Sequence, residues 1–145
     1  MKPIKNLIAL WGSSGSGKTA TTIKLALSLV EENRSVIVLF PEDTTPTIPC
    51  ICGENELEKK GSLGSVFIAP HSTSSLISYQ LTTLKNIPNL AFLGFQKGEN
   101  RYSYPAPVTT QCNDILRHCS AMADILLADI PSSFSRDMLA TAALL

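Results

Sequence analysis

Residues 7–30 pass from a short apolar stretch, through a glycine- and serine-rich turn, into a segment of helical apolar spacing, and few folds accept that succession. The stretch is Leu7, Ile8, Ala9, Leu10 and Trp11, and Ile23, Ala26, Leu27 and Val30 then recur at helical intervals after Lys18. Between them Gly12, Ser13, Ser14, Gly15, Ser16, Gly17, Lys18 and Thr19 satisfy GxxxxGK[ST] without exception. Glycines let consecutive backbone N–H groups curl round an anion, and the helix N-terminus beyond them adds the positive end of its dipole. Such a loop cradles nucleotide phosphates. Lys18 is placed to reach the β- and γ-phosphates, and Thr19 to set its hydroxyl on a magnesium ion that bridges them.

The rest of the chain keeps the same alternation. Strand-length apolar runs stand at 35–40, 65–69, 90–95 and 125–130. Between them Leu76, Leu81 and Leu84 follow a serine cluster with helical spacing, and Ile115, Leu116 and Cys119 share a face within 110–122, capped by Thr109 or Thr110. A fourth helix is expected from near Ser133 or Ser135, after Pro131, to the chain end. Strands of continuous apolar character, interleaved with helices, require a parallel sheet covered on both faces. The expected fold is α/β, a three-layer P-loop NTPase fold with a mostly parallel sheet flanked by helices. Residues 1–145 should form a single nucleotide-binding domain. The apolar end, 138–145, has neither a capping glycine nor a polar terminus, as if more sequence once followed, and a truncated chain or a natural short form would each explain it.

Composition removes several classes of function. Lys plus Arg is 12 and Asp plus Glu is 12, a formal charge of zero, which argues against a protein that coats nucleic acid. The run at 7–11 is too short for a signal-peptide core, and nothing approaches the ~20 apolar residues of a membrane span, so a cytoplasmic protein is expected. In that reducing setting Cys50, Cys52, Cys112 and Cys119 read as core or near-core thiols, and Cys50-Ile51-Cys52 lacks the usual spacing of a zinc site.

Two acids complete the candidate site. Asp129 closes the run Ile125, Leu126, Leu127, Ala128, a Walker B pattern that sets a carboxylate opposite the phosphate loop. Glu42 lies in the rigid polar loop 41–46 at the carboxyl end of the second strand, where open α/β sheets bind ligands, and Glu42 or Asp43 is placed there to orient an attacking water. His71, after the run 65–69, is expected at a strand-to-helix junction on the same edge. The polar, tyrosine-bearing loop 97–105 reads as surface available to a partner or a second subunit.

This arrangement resembles the ParA/MinD family of P-loop ATPases, including its CpaE-like branch, in three places. Residues 11–29 look like the family's loop and threonine-rich first helical turn, 35–43 like its second strand and switch I, and 124–131, DILLADIP, like its switch II. The resemblance implies ATP and Mg2+ as cofactors, with Gly12, Ser13, Ser14, Gly15, Ser16, Gly17, Lys18, Thr19 and Ala20 around the nucleotide. It places Thr19 and Asp129 on the metal and gives catalytic roles to Lys18, Glu42 and Asp129. It also implies nucleotide-dependent homodimerisation and a switched protein partner.

Departures from the family pattern bear on hydrolysis more than on binding. Ser13 stands at the signature lysine, Ala20 at a threonine that touches the α-phosphate, Phe40 at the first acid of switch I, and Ser133 at a switch glycine. A nucleotide-binding scaffold without turnover is therefore the second reading. A small-molecule kinase is the third, although Arg34, Arg101, Arg117 and Arg136 are scattered rather than gathered into a lid. GTP stays open beside ATP because no N-K-x-D-like base-reading motif is present.

Overall fold

The computed structural model describes residues 4–12, 17–132 and 137–144. Their elements are β1 (Leu7–Leu10), α1 (Lys18–Glu31), β2 (Val36–Leu39), α2 (Ile48–Ile51), β3 (Leu57–Lys59), α3 (Leu63–Ile68), α4 (Ser74–Tyr79), β4 (Thr82–Leu84), β5 (Ile87–Leu93), α5 (Thr109–Met122), β6 (Ile125–Asp129) and α6 (Met138–Leu144). The strands form one six-stranded sheet in the order β1-β6-β2-β5-β4-β3. β1, β6, β2 and β5 run parallel, and β4 and β3 are added antiparallel at the far side. The expected α/β architecture with a mostly parallel sheet is the one observed.

All four residues of β2 are buried because each face of the sheet has its own core. Ile37 and Leu39 pack with Leu63, Ile77, Ile115, Leu116 and Ala140, beneath the helices α3 to α6. Val36 and Val38 point the other way, among Ala26 of α1, Ile48 of α2 and Phe92. β6 divides likewise, with Leu126 and Ala128 on one face and Ile125 and Leu127 on the other. Two covered faces explain why these strands carry no polar alternation.

α1 ends in a Schellman-type cap. The Arg34 N–H donates to the Leu29 carbonyl and the Asn33 N–H to that of Val30, with Asn33 at a left-handed φ of 63° that asparagine tolerates.

Several sequence expectations need correction. The run 65–69 is not a strand but part of α3: the Ser62 hydroxyl caps it by accepting from the Gly64 N–H, and Leu63 and Val66, a helical interval apart, are both fully buried. Conversely, the helix expected through Leu84 stops at Tyr79, capped at its start by Thr73. β-branched Thr82 and Thr83 then open a hairpin that turns at Lys85 and Asn86 into β5. Neither Thr109 nor Thr110 caps α5, whose N-cap is Val108 without a side-chain bond. The described part of the last helix begins at Met138 and takes its cap from Asp137, which accepts from the Ala140 N–H at 2.8 Å. Ser133 and Ser135 lie outside the described residues.

Cys112 and Cys119 are buried, and burial pushes their thiols up to about 11 and about 12 respectively. Cys50, by contrast, is exposed rather than near the core. Among the described residues no group of His, Cys, Asp and Glu side chains is arranged to hold a metal ion, and no helix is long and apolar enough to cross a membrane.

Candidate functional site

The parallel register assembles the site. Leu10, the last residue of β1, pairs with Asp129, the last of β6, and Leu39 of β2 pairs with Ala128 beside it. The turns that follow β1, β2 and β6 therefore leave the sheet at one carboxyl edge, where open α/β sheets bind ligands. Of the phosphate-loop residues, Ser13, Ser14, Gly15 and Ser16 lie outside the described residues. Gly17 precedes α1 at a φ of 81°, a left-handed conformation that the absence of a Cβ makes cheap. Its carbonyl accepts the Thr21 N–H at 2.9 Å, so α1 starts at the motif lysine.

Thr19 and Asp129, distant in sequence, meet here. The Thr19 hydroxyl donates to Asp129 Oδ2 at 2.7 Å. Thr22, one turn further along α1 and fully buried, has its Oγ1 2.7 Å from the Lys18 carbonyl and 3.2 Å from Asp129 Oδ1. Both carboxylate oxygens thus face hydroxyls. Asp129 is only 5% exposed, and its desolvation raises the carboxyl above the usual Asp range. The Thr19 bond, the Lys18 charge and the Thr22 bond oppose that rise, while Glu42 adds to it. Lys18, Thr19, Asp129 and Glu42 therefore share one electrostatic neighbourhood.

Sequence reasoning did not single out Thr22. Its signal was present, since a residue three beyond Thr19 lies on the same face of the helix.

Glu42 is half-buried in the loop after β2, where its Oε1 accepts the Thr44 N–H at 3.1 Å. Next to it Asp43 pairs with Arg101. Asp137 was also missed. Burial pushes its carboxyl up to about 6, the Ala140 N–H opposes this, and Asp43 and Glu42 reinforce it. An acid that caps a late helix thus belongs to the same carboxyl edge as the switch-like loop. The Ala20 side chain is exposed on the first turn of α1.

His71 does not join this group. It follows a helix rather than a strand, is exposed, and lines a separate cleft with Phe67, Gln111 and Asp114.

An oxygen-only donor set of one carboxylate and one helix-start hydroxyl suits a hard divalent cation such as Mg2+. Lys18 stands at the same edge, near enough for its charge to bear on Asp129. Fold and site together resemble those of ParA/MinD-type P-loop proteins. No protein-family model matches the chain. It is similar to the cytosolic Fe-S cluster assembly factor cfd1 of Aspergillus terreus, 29% identical over 142 residues that span 96% of this chain and 46% of that protein. In structure it is similar to the septum site-determining protein MinD of Pyrococcus horikoshii, solved with Mg-ADP, at a TM-score of 0.67 and 15% identity. That match covers 95% of this chain and 52% of MinD, so the chain spans about half the length of the relatives it matches.

Proposed function

We propose that this chain binds a nucleoside triphosphate, ATP with GTP as the alternative, together with Mg2+, and uses it to switch contacts with a protein partner or a second copy. The observation that carries the proposal is the 2.7 Å contact between Thr19 of the phosphate-loop motif and Asp129 at the end of β6. A structural turn has no need of a buried carboxylate at that point, whereas a metal-nucleotide site does. MinD of Pyrococcus horikoshii, similar in fold, was solved with Mg-ADP, which supports the reading.

Thr19 and Asp129 would hold the metal, directly or through water, and the metal when bound would neutralise charge on the β- and γ-phosphates. Lys18 and the loop amides bind and orient the triphosphate. Glu42 is the residue assigned to orient the attacking water. Ordering of the loop around Glu42 and Asp43 by the nucleotide is the route by which a partner surface changes. The departures at Ser13 and Ala20 favour a second reading, a nucleotide-dependent scaffold with slow turnover or none.

Calorimetric titration of ATP and GTP, each with magnesium, into the chain and into Lys18→Ala tests the proposal, followed by phosphate release on the same samples. Saturable ATP binding lost in Lys18→Ala supports it, and turnover lost in Asp129→Ala makes the protein an ATPase. Binding without turnover selects the scaffold. A folded chain that binds neither nucleotide overturns the reading.

A further inference from the structure

Arg101 belongs to the loop that follows β5, yet it is fastened to the loop that follows β2. Its backbone N–H donates to the Asp43 carbonyl at 2.7 Å, and its guanidinium Nη2 donates to Asp43 Oδ1 at 3.1 Å. The second contact spans 58 positions of sequence. A guanidinium can grip a carboxylate with two parallel bonds, but here Nε is buried and makes no hydrogen bond. An unpaired buried donor is costly, so the surroundings must hold Arg101 in place against that cost.

Those surroundings are a built strut rather than a free loop. The Glu99 carboxylate accepts the Ser62 hydroxyl at 2.9 Å and the Gln96 N–H at 2.6 Å, and it also takes the Tyr104 hydroxyl. The Tyr104 ring stacks on Phe95 with centroids 6.3 Å apart and lies over Gly64, where a Cβ would stand 2.0 Å from it. Gly98 supplies the left-handed turn, with φ at 88°. The Ser62 hydroxyl in turn caps α3. Arg101 is therefore presented from a scaffold tied to α3 and to the end of β5.

The charge around it gives that placement a use. Glu42 and Asp43 sit on the loop after β2, and Asp137 feels both, while Asp129 feels Glu42. A γ-phosphate brought to this edge comes against these acids, so where they are held bears on a triphosphate more than on a diphosphate. Among the described residues Arg101 is a cation tied into that acidic edge from outside the phosphate-loop motif. We infer that Arg101 is a positioning residue: by holding Asp43 it fixes the adjoining Glu42 and sets the preference of the site for a triphosphate over a diphosphate. The inference rests on the nucleotide reading proposed above.

The test measures affinity for Mg-ADP and for a non-hydrolysable Mg-ATP analogue in the unmodified chain, Arg101→Gln, Asp43→Asn and the double variant, with Lys18→Ala alongside. Arg101→Gln should lower the triphosphate preference about tenfold, the worth of one charge-assisted hydrogen bond. Asp43→Asn weakens the side-chain half of the same tie while also removing one acid, so the decisive comparison is with the double variant: Arg101→Gln should cost little further in the Asp43→Asn background, because both substitutions act on one tie. If Arg101→Gln does not fold, Arg101→Lys keeps the charge without the planar fork and should lower the preference in the same direction. An unchanged preference in every folded variant, or effects that multiply in the double variant, overturns the inference while loss of binding in Lys18→Ala keeps the nucleotide site. Undiminished binding in Lys18→Ala removes the nucleotide reading and this inference with it.

Discussion

The Thr19 hydroxyl and the Asp129 carboxylate, 110 positions apart, are joined by a 2.7 Å hydrogen bond that links the first turn of α1 to the end of β6. If a magnesium ion takes up these oxygens when nucleotide binds, affinity must depend on the metal and on the carboxylate together. Chelation with EDTA should weaken ATP binding by at least about tenfold in the unmodified chain, since one metal-mediated phosphate contact exceeds a tenfold step. In Asp129→Asn the affinity should already be low and respond little to EDTA. Calorimetry with and without chelator reads both, and an EDTA effect that survives undiminished in Asp129→Asn would place the metal elsewhere.

Thr22 is fully buried, with its hydroxyl between the Lys18 carbonyl and Asp129 Oδ1. Thr22→Val keeps the shape and removes the donor, leaving a buried carboxylate oxygen short of a partner. The expected cost is about 1–3 kcal/mol of stability. Thr22→Ser keeps the hydroxyl and should recover most of it. Urea unfolding midpoints compare the variants, and equal midpoints for Val and Thr would show that Oδ1 does not depend on Thr22.

The parts of the molecule legible in the sequence are those in which local pattern and tertiary environment agree. β2 and the first four residues of β6 are apolar because both faces are covered, and the Lys18–Glu31 helix follows directly on the glycine- and serine-rich motif. The run 65–69 misled because continuous apolar character does not separate a buried strand from one face of a short helix. Ser62, which decides the matter by capping, stands three residues ahead of that run. The hairpin at Lys85 and Asn86 carries no Asn-Gly or Asp-Gly signal, and leucine spacing outweighed the β-branched pair Thr82 and Thr83. That Glu42 follows β2 and Asp129 ends β6 was legible because an apolar run leads to each of them. Arg101 and Asp137 were not, since only tertiary packing brings them to the Asp43 edge.

Gly64 leaves room for the Tyr104 ring, and an added Cβ would meet it at 2.0 Å. That atom is part of a rigid ring held by Phe95 and Glu99, so it has little freedom to retreat. Gly64→Ala should destabilise the fold by about 1–3 kcal/mol through overpacking, in spite of alanine's better helix propensity. The double variant Gly64→Ala with Tyr104→Ala should lose less than the sum of the two single effects. Additive losses in thermal unfolding would mean that the alanine is accommodated without touching the ring.

Asp137 makes stability depend on pH in a direction opposite to that of a salt-bridged carboxylate. Burial, with Asp43 and Glu42 nearby, pushes its carboxyl up from 3.8 to about 6, against the pull of the Ala140 N–H. Between those two values the folded chain holds a proton that the unfolded chain has released. The unfolded state then binds fewer protons, so this group's contribution to stability falls as pH rises through the window and is fully lost above about 6. Asp137→Asn keeps a cap for α6 and removes the titration. The variant should be more stable than the unmodified chain by about 1–3 kcal/mol near pH 8, with the gap closing on acidification towards about pH 4. Melting temperatures of the two proteins across that range decide it: a gap that does not narrow as pH falls would mean that Asp137 ionises freely in the folded state.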